Sequence, residues 1–234
     1  AVYAAQIDCI DQNVGKLVAK LRELGEYENT VIFFLSDNGC SAEGGPGGFS
    51  RGKKDAPIGT GLSYASAGLE WANVSDTPYR QYKMSTHEGG IASPLIVHWP
   101  AGLKRRGELE SQPGHVIDLL PTCLELAGAE YPQEHYGKDT IPVAGKSLLP
   151  AIVSNERQPR QLFWEHQGNR AVRDGDWKLV APHNRPWELY NLSGDRTELV
   201  NLAKRQPVRV KELTALWNDW ASESGVQPWP VKRK

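Results

Sequence analysis

Two short stretches carry residue types that could bind a cation and an anion. Asp37 and Asn38 directly follow an apolar run over residues 30–36, and Gly39 comes next. A carboxylate and an amide carbonyl are hard oxygen donors that suit Ca²⁺ or Mg²⁺, although Ca²⁺ needs more ligands than these two. Gly39 permits the backbone bend that lets adjacent side chains share one cation. Because Asp-Asn-Gly also forms Asx turns readily, composition alone favours that plainer alternative.

The second stretch runs from Lys83 to Gly90 and precedes another apolar run. Lys83 offers a compact positive charge that could neutralise a tetrahedral oxyanion. Gly89 and Gly90 would let the backbone pass close to such a site. His87 could act as a base or a ligand, but a lone histidine of this kind is more often a packed structural residue. Glu88 could be a second carboxylate or the partner of a backbone amide.

The spacing of apolar residues predicts the elements that place these stretches. Apolar side chains three and four residues apart predict an amphipathic helix over residues 2–24 that ends at Gly25. Residues 30–36 and 94–99 are β-rich apolar runs, as expected for strands buried on both faces of a parallel sheet. Between them, residues 37–93 show no periodic pattern, and their glycine-rich stretches argue against a helix or a strand. Ligands of open α/β sheets bind beyond the carboxyl ends of strands, which is where the first stretch falls.

The remainder of the chain favours a different architecture. Asp118 and Gly128 are residue types that begin and end a helix, and residues 129–147 are rich in Pro and Gly. Closely spaced β-prone segments then follow, and Asp174-Gly175-Asp176 is a hairpin turn signal, so we predict an antiparallel sheet. These segments are residues 162–166, 171–173, 177–181 and 188–192. Pro207 opens a last helix, with an apolar face formed by Val210, Leu213, Trp217 and Trp220.

The predicted fold class is therefore α/β. Residues 1–150 are expected to form part of a mixed, largely parallel sheet flanked by helices, and residues 151–234 a small antiparallel sheet with a C-terminal helix. Two buried strands do not make a parallel sheet, because each needs neighbouring strands and helices over both faces. We expect the missing strands to lie upstream of this sequence or on another chain.

Composition excludes several classes of function. The 234 residues contain 27 Lys plus Arg and 28 Asp plus Glu, so no general positive field favours nucleic acid or an anionic membrane. No apolar run reaches the length of a membrane span. The three cysteines, Cys9, Cys40 and Cys123, are odd in number and widely spaced, which argues against a disulfide framework or a Cys-x-x-Cys zinc site.

An ordered set of motifs nevertheless resembles one enzyme family. The matching stretches are Asn29–Gly39, Gly68–Asn73 with Thr77-Pro78, Lys83–Gly90 leading into Pro94–Pro100, Asp118–Thr122, Arg173–Lys178 and Glu188–Asn191. Together they resemble the sulfatases, in particular the bacterial arylsulfatase-like members of the alkaline phosphatase superfamily, over essentially the whole chain.

The resemblance implies hydrolysis of sulfate monoesters on an alkaline-phosphatase-like fold. In this family a cysteine or serine, oxidised to formylglycine, attacks sulfur as a hydrate beside a Ca²⁺ ion. By resemblance, Asp37 and Asn38 are two Ca²⁺ ligands, with Asp37 also close to the nucleophile as a catalytic residue. Lys83 matches the catalytic lysine that contacts the substrate sulfate, and His87 receives no catalytic role. The family also implies an exported or lysosomal protein.

One part of the family pattern is missing. The modified residue of the family lies in Cys/Ser-x-Pro/Ala-x-Arg, and none of the sequences that begin at Cys9, Cys40 or Cys123 fits it. We therefore expect this chain to be the C-terminal portion of a sulfatase that is inactive alone. The nucleophile and the remaining Ca²⁺ ligands would come from the missing N-terminal part.

Two alternatives remain at this point. Asp-Asn-Gly after a strand could also serve a phosphomonoesterase or phosphodiesterase of the same superfamily. The chain could instead be a non-catalytic module that binds anions or glycans, for which Trp71 and Trp187 are the candidate contacts.

Overall fold

The computed structural model describes residues 2–231, and its elements follow one another along the chain. The first half contains α1 (Val2–Glu23), β1 (Ile32–Leu35), β2 (Phe49–Gly52), β3 (Ser63–Ser66), α2 (Gly68–Asp76), α3 (Glu88–Ile91) and β4 (Leu95–His98). A 3-10 turn (Val116–Asp118) and α4 (Leu119–Ala127) come next, followed by β5 (Glu134–His135), β6 (Lys138–Asp139) and α5 (Leu149–Ser154). The last elements are β7 (Gln161–His166), β8 (Asn169–Asp174), β9 (Trp177–Ala181), β10 (Glu188–Asn191) and α6 (Pro207–Glu223).

The chain divides into two compact units. One unit comprises Ala1–Gly15, Leu35–Leu95 and Arg160–Lys234, and the other comprises Lys16–Phe34 and Ile96–Pro159. The division of the sequence at residue 150 stays a prediction. Within residues 2–231, no helix has the length and apolar character needed to cross a bilayer.

The helix and the two apolar strands of the first half form as predicted. Helix α1 ends two residues before Gly25, which has a φ of +73° that favours glycine. Strands β1 and β4 pair in a two-stranded sheet. Their predicted burial on both faces is wrong for the described residues, because Phe34 is 46% exposed and Ile96 59% exposed. Within residues 2–231 this sheet has no further strand to cover or extend it.

The prediction for residues 37–93 is also wrong in part, because this segment contains regular structure. Strands β2 and β3 form an antiparallel hairpin with Arg51 opposite Tyr64, and helices α2 and α3 follow. The glycines allow close backbone approach, since a Cβ at Gly48 would collide with the carbonyl of Ser66. Strands of four residues and a helix of nine are too short for apolar periodicity to reveal them.

The antiparallel sheet and its covering helix confirm the prediction for the C-terminal region. Its strand order is β10-β9-β8-β7, and Gly175, with a φ of +60°, forms the turn between β8 and β9. Helix α6 buries Leu213 and Trp217 against apolar side chains of the sheet, and Trp220 stacks on Phe163 at 5.3 Å. The aromatic residues of α6 are therefore core residues rather than a platform for carbohydrate.

Helix α4 ends as predicted but begins differently. Gly128 follows its last residue with a φ of +60°. The Asp118 side chain does not cap α4. Instead, its carboxylate accepts hydrogen bonds from the backbone amides of His115 (2.7 Å) and Lys146 (2.9 Å), so it stabilises the preceding 3-10 turn and a distant loop.

Candidate functional site

The loop that leaves β1 presents the predicted cation ligands without protein partners. Asp37 is exposed and Asn38 is half-buried. Ser36 donates a hydrogen bond to the backbone carbonyl of Asn38 at 2.9 Å, which fixes the bend. Within residues 2–231, neither the Asp37 carboxylate nor the Asn38 side-chain amide has a hydrogen-bond partner. Their oxygen atoms are therefore available to a ligand.

Three hydrogen bonds join this loop to the second predicted stretch and to α2. The amide of Gly39 donates to the carbonyl of Gly90 at 3.0 Å, and the amide of Lys83 donates to the carbonyl of Cys40 at 3.0 Å. The Asp76 carboxylate accepts the amide of Cys40 at 3.0 and 3.1 Å. Burial raises the pKa of Asp76, and the Cys40 amide opposes that rise. The two stretches singled out in the sequence therefore lie side by side.

Glycine is required where these two segments meet. A Cβ at Gly39 would lie well under 3.0 Å from the carbonyl oxygen of Gly89, and real Cβ atoms essentially never approach that closely. A Cβ at Gly89 would meet the carbonyl of Gln81, and one at Gly90 the carbonyl of Ser85. The backbones can approach this closely because glycine has no side chain.

Lys83 pairs with a residue that the sequence did not single out. Its Nζ lies 3.3 Å from Oε1 of Glu43, and the two side chains are 40% and 48% exposed. An ion pair this exposed contributes little to stability, typically about 0–1 kcal/mol. The Lys83 ammonium can therefore exchange Glu43 for an anionic ligand at small cost.

His87 is a buried structural residue, as the sequence favours. Its Nδ1 lies 3.1 Å from Ser85 Oγ and its Nε2 lies 3.3 Å from Glu188 Oε2, so the neutral tautomer protonated on Nε2 satisfies both contacts. Glu188 also accepts hydrogen bonds from Tyr190 and Arg80. Burial lowers the pKa of His87 and outweighs the nearby carboxylates of Glu198 and Glu188.

Glu88 belongs to a buried ion cluster rather than to the loop surface. Its Oε1 accepts a hydrogen bond from Lys178 Nζ at 2.7 Å, and Lys178 also pairs with Glu198 Oε1 at 2.9 Å. Burial alone would raise the pKa of Glu88, but the Lys178 ammonium, helped by Arg173 and Arg196, lowers it overall. This carboxylate is therefore already neutralised and is a poor candidate for a metal ligand.

Sequence reasoning included Lys178 and Glu188 in stretches that resemble the family but gave them no role, and it did not single out Glu198. One signal was present, because Lys178 stands in the otherwise apolar run of β9 and a lysine is almost never fully buried without a partner. Its partners could not be read from the sequence, since Glu88 lies 90 residues away.

The two candidate glycan contacts differ in their surroundings. Trp187 lies 6.0 Å from Trp217 and carries the Arg170 guanidinium 4.3 Å above its ring, so it is packed into the core. Trp71 is 47% exposed and lies 5.6 Å from the ring of Tyr3.

Two of the described residues carry side chains that suit a metal ion. Asp37 and Asn38 have the donor chemistry of Ca²⁺ ligands, but Ca²⁺ takes about six to eight oxygens. Among residues 2–231, no cluster of three or more His, Cys, Asp or Glu side chains could hold a metal ion. The chemistry of this pair fits Ca²⁺, but two oxygen donors are fewer than the ion takes.

Gly39→Ala tests the close approach of the two segments. We expect it to lower the free energy of unfolding by about 1–3 kcal/mol, the usual effect of overpacking, because its Cβ would meet the Gly89 carbonyl. Urea unfolding measures the change. Gly61→Ala is the matched control, since nothing lies within 4 Å of a Cβ there. Equal stability of the two variants would contradict the packing described here.

We expect the buried side chain of His87 to make the folded state less stable in acid. Because burial lowers its pKa in the folded state, the unfolded chain binds a proton more readily near pH 6. The stability contributed by neutral His87 is complete above about pH 6.5, the ordinary pKa of histidine, and is lost as the pH falls through the lower folded-state pKa. We expect His87→Gln to reduce the loss of unfolding free energy between pH 7 and pH 5.5, as measured by urea titration. Exposed His135, changed to Gln, should leave that loss unaltered.

Comparison with known proteins places these features in a family. Residues 1–129 match the family described as Sulfatase, and residues 80–219 match N-sulphoglucosamine sulphohydrolase, C-terminal. An uncharacterized sulfatase of Schizosaccharomyces pombe is 32% identical, covering 98% of this chain and 44% of the relative. An arylsulfatase of Klebsiella aerogenes is 33% identical, covering 68% of this chain and 36% of the relative.

A solved structure agrees with these matches. The crystal structure of Ps i-CgsB is 27% identical, with a TM-score of 0.71, and the match covers 94% of this chain and 42% of that one. This similarity confirms the predicted α/β fold class. The chain spans less than half the length of the relatives named here. It belongs to the sulfatase family.

Proposed function

We propose that this chain supplies one part of the active site of an enzyme that hydrolyses sulfate monoesters. The observation that carries the proposal is the pair of backbone hydrogen bonds, Gly39 to Gly90 and Lys83 to Cys40. They hold two partnerless oxygen donors and an exchangeable ammonium on adjacent segments. A metal ion held by the oxygen donors, beside the Lys83 ammonium, would suit an anionic ester such as a sulfate.

In this proposal, Asp37 and Asn38 provide two of the oxygen ligands of a Ca²⁺ ion. When bound, Ca²⁺ supplies positive charge against the sulfate and the attacking group. Asp37 would also lie near the nucleophile and act with it as a catalytic residue. The formylglycine nucleophile and the other ligands belong to polypeptide outside this sequence, since no cysteine here has the required motif.

Lys83 is the proposed catalytic cation. As the S–O bond of the ester breaks, negative charge develops on the leaving oxygen, and water supplies the oxygen and protons that complete sulfate and alcohol. The Lys83 ammonium stabilises that charge and contacts the sulfate. Glu43 holds this ammonium while substrate is absent, at a distance of 3.3 Å.

Exposed apolar surfaces support the proposal that an N-terminal sulfatase part packs against this chain. Helix α1 is amphipathic, yet none of its residues is buried, and Leu17 is 68% exposed. On the strands, Phe34 and Ile96 are also exposed. Such surfaces are costly in water and mark interaction sites. A longer protein is consistent with the partial coverage of the relatives.

The substrate is proposed to be a sulfate ester of a carbohydrate or another small molecule. An N-acetylgalactosamine-6-sulfatase of Mus musculus is 30% identical over 82% of this chain. Ps i-CgsB, which is 27% identical, has been crystallised in complex with k-i-k-neocarrahexaose. Both names favour the carbohydrate. Location outside the cytoplasm or in the lysosome, implied by the family, is part of the same proposal.

Turnover of a model aryl sulfate by the complete, formylglycine-containing protein tests this function. We expect robust hydrolysis of the sulfate, slower hydrolysis of the matching phosphate, and none by the isolated chain. Lys83→Met should lower kcat by about 10²–10³-fold, the usual effect of removing a group that stabilises developing charge. Exposed Lys204, changed to Met, is the control and should leave kcat unaltered.

Other outcomes would identify the alternatives. A preference for phosphate esters would indicate a phosphomonoesterase or phosphodiesterase. An inactive complete protein that binds glycans through Trp71 would indicate a binding module. Robust turnover by the isolated chain would refute the claim that its site is partial.

Glu43→Gln tests whether Glu43 competes with the substrate for Lys83. Removing the negative charge of Glu43 frees the Lys83 ammonium. We expect KM to fall only a few-fold, because an exposed ion pair contributes little free energy. We expect kcat to change little, because Lys83 itself is retained. Steady-state kinetics on the aryl sulfate measure both, with exposed Glu223→Gln as the control. A higher KM would show instead that Glu43 orients Lys83.

A further inference from the structure

We propose that Lys178 is a positioning residue for Lys83. Its ammonium, held between the buried carboxylates of Glu88 and Glu198, fixes the segment of residues 83–90 onto the C-terminal antiparallel sheet. The inference rests on the catalytic role proposed for Lys83. It means that the antiparallel sheet helps to position a catalytic residue.

The ion cluster is fully removed from solvent. The side chains of Lys178 and Glu198 are 0% exposed and that of Glu88 is 3% exposed. Lys178 Nζ lies 2.7 Å from Glu88 and 2.9 Å from Glu198, so one ammonium joins two elements distant in sequence. Glu198 also accepts the backbone amide of Glu88 at 2.9 Å. Both the side chain and the backbone of Glu88 are therefore fixed by this cluster.

The charges of the cluster make Lys178 indispensable to it. Two carboxylates face one ammonium. Arg196 lies 3.8 Å from Glu88 and is 56% exposed, and Arg173 assists without an ion pair to Glu88 among the described residues. Removing one member of a buried ion pair leaves a charge without compensation, which is far more costly than breaking an exposed pair. Without Lys178, the two carboxylates would repel each other, and Glu88 would move away from Glu198.

Movement of Glu88 would reach Lys83 through a closed turn. The amide of Gly89 donates to the carbonyl of Arg80 at 2.8 Å, and the amide of Ser85 donates to the carbonyl of Tyr82 at 3.1 Å. The contacts of Gly89 and Gly90 inside this turn leave no room for a Cβ. Lys83 therefore lies on a compact turn whose far end is held by Glu88.

The backbone on either side of Lys83 needs such an anchor. Gln81 has a φ of +64° and Met84 a φ of +77°, in the left-handed region that residues other than glycine rarely adopt. Strained positions of this kind persist only where the surrounding structure holds them. Neutral hydrogen bonds assist, since Asn169 donates to the carbonyl of Met84 at 3.1 Å. Arg80, which is 34% exposed, ties the start of the turn to Glu188 and Tyr190. Lys178 is the fully buried charge that ties its far end.

A double-mutant cycle in the complete sulfatase separates positioning from simple stabilisation. We expect Lys178→Met to lower kcat/KM by about 10–100-fold, the range seen when a supporting partner of a site is removed. In a Lys83→Met background, the same change should cost less than about twofold, because the group to be positioned is gone. A loss of folded protein would instead multiply the two effects. Lys211→Met, an exposed change on α6, is the control.

A second variant and a second measurement keep the test independent of folding. Glu88→Gln keeps the size of the side chain and should show a smaller loss with the same dependence on Lys83. In this chain, hydrogen exchange of the amides of residues 83–90 should quicken at least about tenfold in Lys178→Met, while the amides of β8 stay protected.

The outcomes distinguish this inference from the proposed function. If the unaltered complete protein hydrolyses sulfate esters but the loss is equal in both backgrounds, the positioning role is overturned and the function stands. Unchanged exchange at residues 83–90 would overturn the role in the same way. If the unaltered protein does not hydrolyse sulfate esters, the function fails first, whatever the exchange data show.

Discussion

The close approach of the backbones at Gly39, Gly89 and Gly90 is the constraint on which the candidate site depends. It places the Asp37-Asn38 pair, at the end of β1, directly beside the segment that carries Lys83. No side chain larger than hydrogen fits at these three positions, so the spacing of the site is set by steric exclusion. The hydrogen bonds from Gly39 and Lys83 then fix the register of the two segments.

Charge is distributed around this contact according to burial. At the surface, Lys83 pairs with Glu43 in water, where the pair is weak and can be exchanged for a ligand. In the interior, Lys178 is enclosed by carboxylates that have no alternative partner of equal strength. The first arrangement suits a group that must bind and release an anion. The second suits a group that must not move, so the two arrangements fit the different roles proposed for Lys83 and Lys178.

Two independent observations support the proposal that further polypeptide completes the site. The oxygen donors of Asp37 and Asn38 are too few for a Ca²⁺ ion and have no partners within residues 2–231. Some apolar residues of α1, β1 and β4, among them Leu17, Phe34 and Ile96, are exposed in the same described part of the chain. The sulfatase relatives named above are more than twice as long as the part matched here. The proposed N-terminal part would both cover the exposed apolar residues and supply the other ligands of the proposed Ca²⁺ ion.

From the sequence alone, local patterns determined α1, the two apolar strands, the antiparallel sheet and α6, since periodicity and turn chemistry act over a few residues. The order of the motifs determined the family, and the residue types of Asp37, Asn38 and Lys83 indicated an anion site with a cation. Only the tertiary structure decided that Glu88 is neutralised by Lys178, that Lys83 pairs with Glu43, and that the segment after β1 folds into a hairpin and a helix. Those contacts join residues between 11 and 90 positions apart. No local pattern encodes which distant side chain will neutralise a buried charge or pack against a glycine.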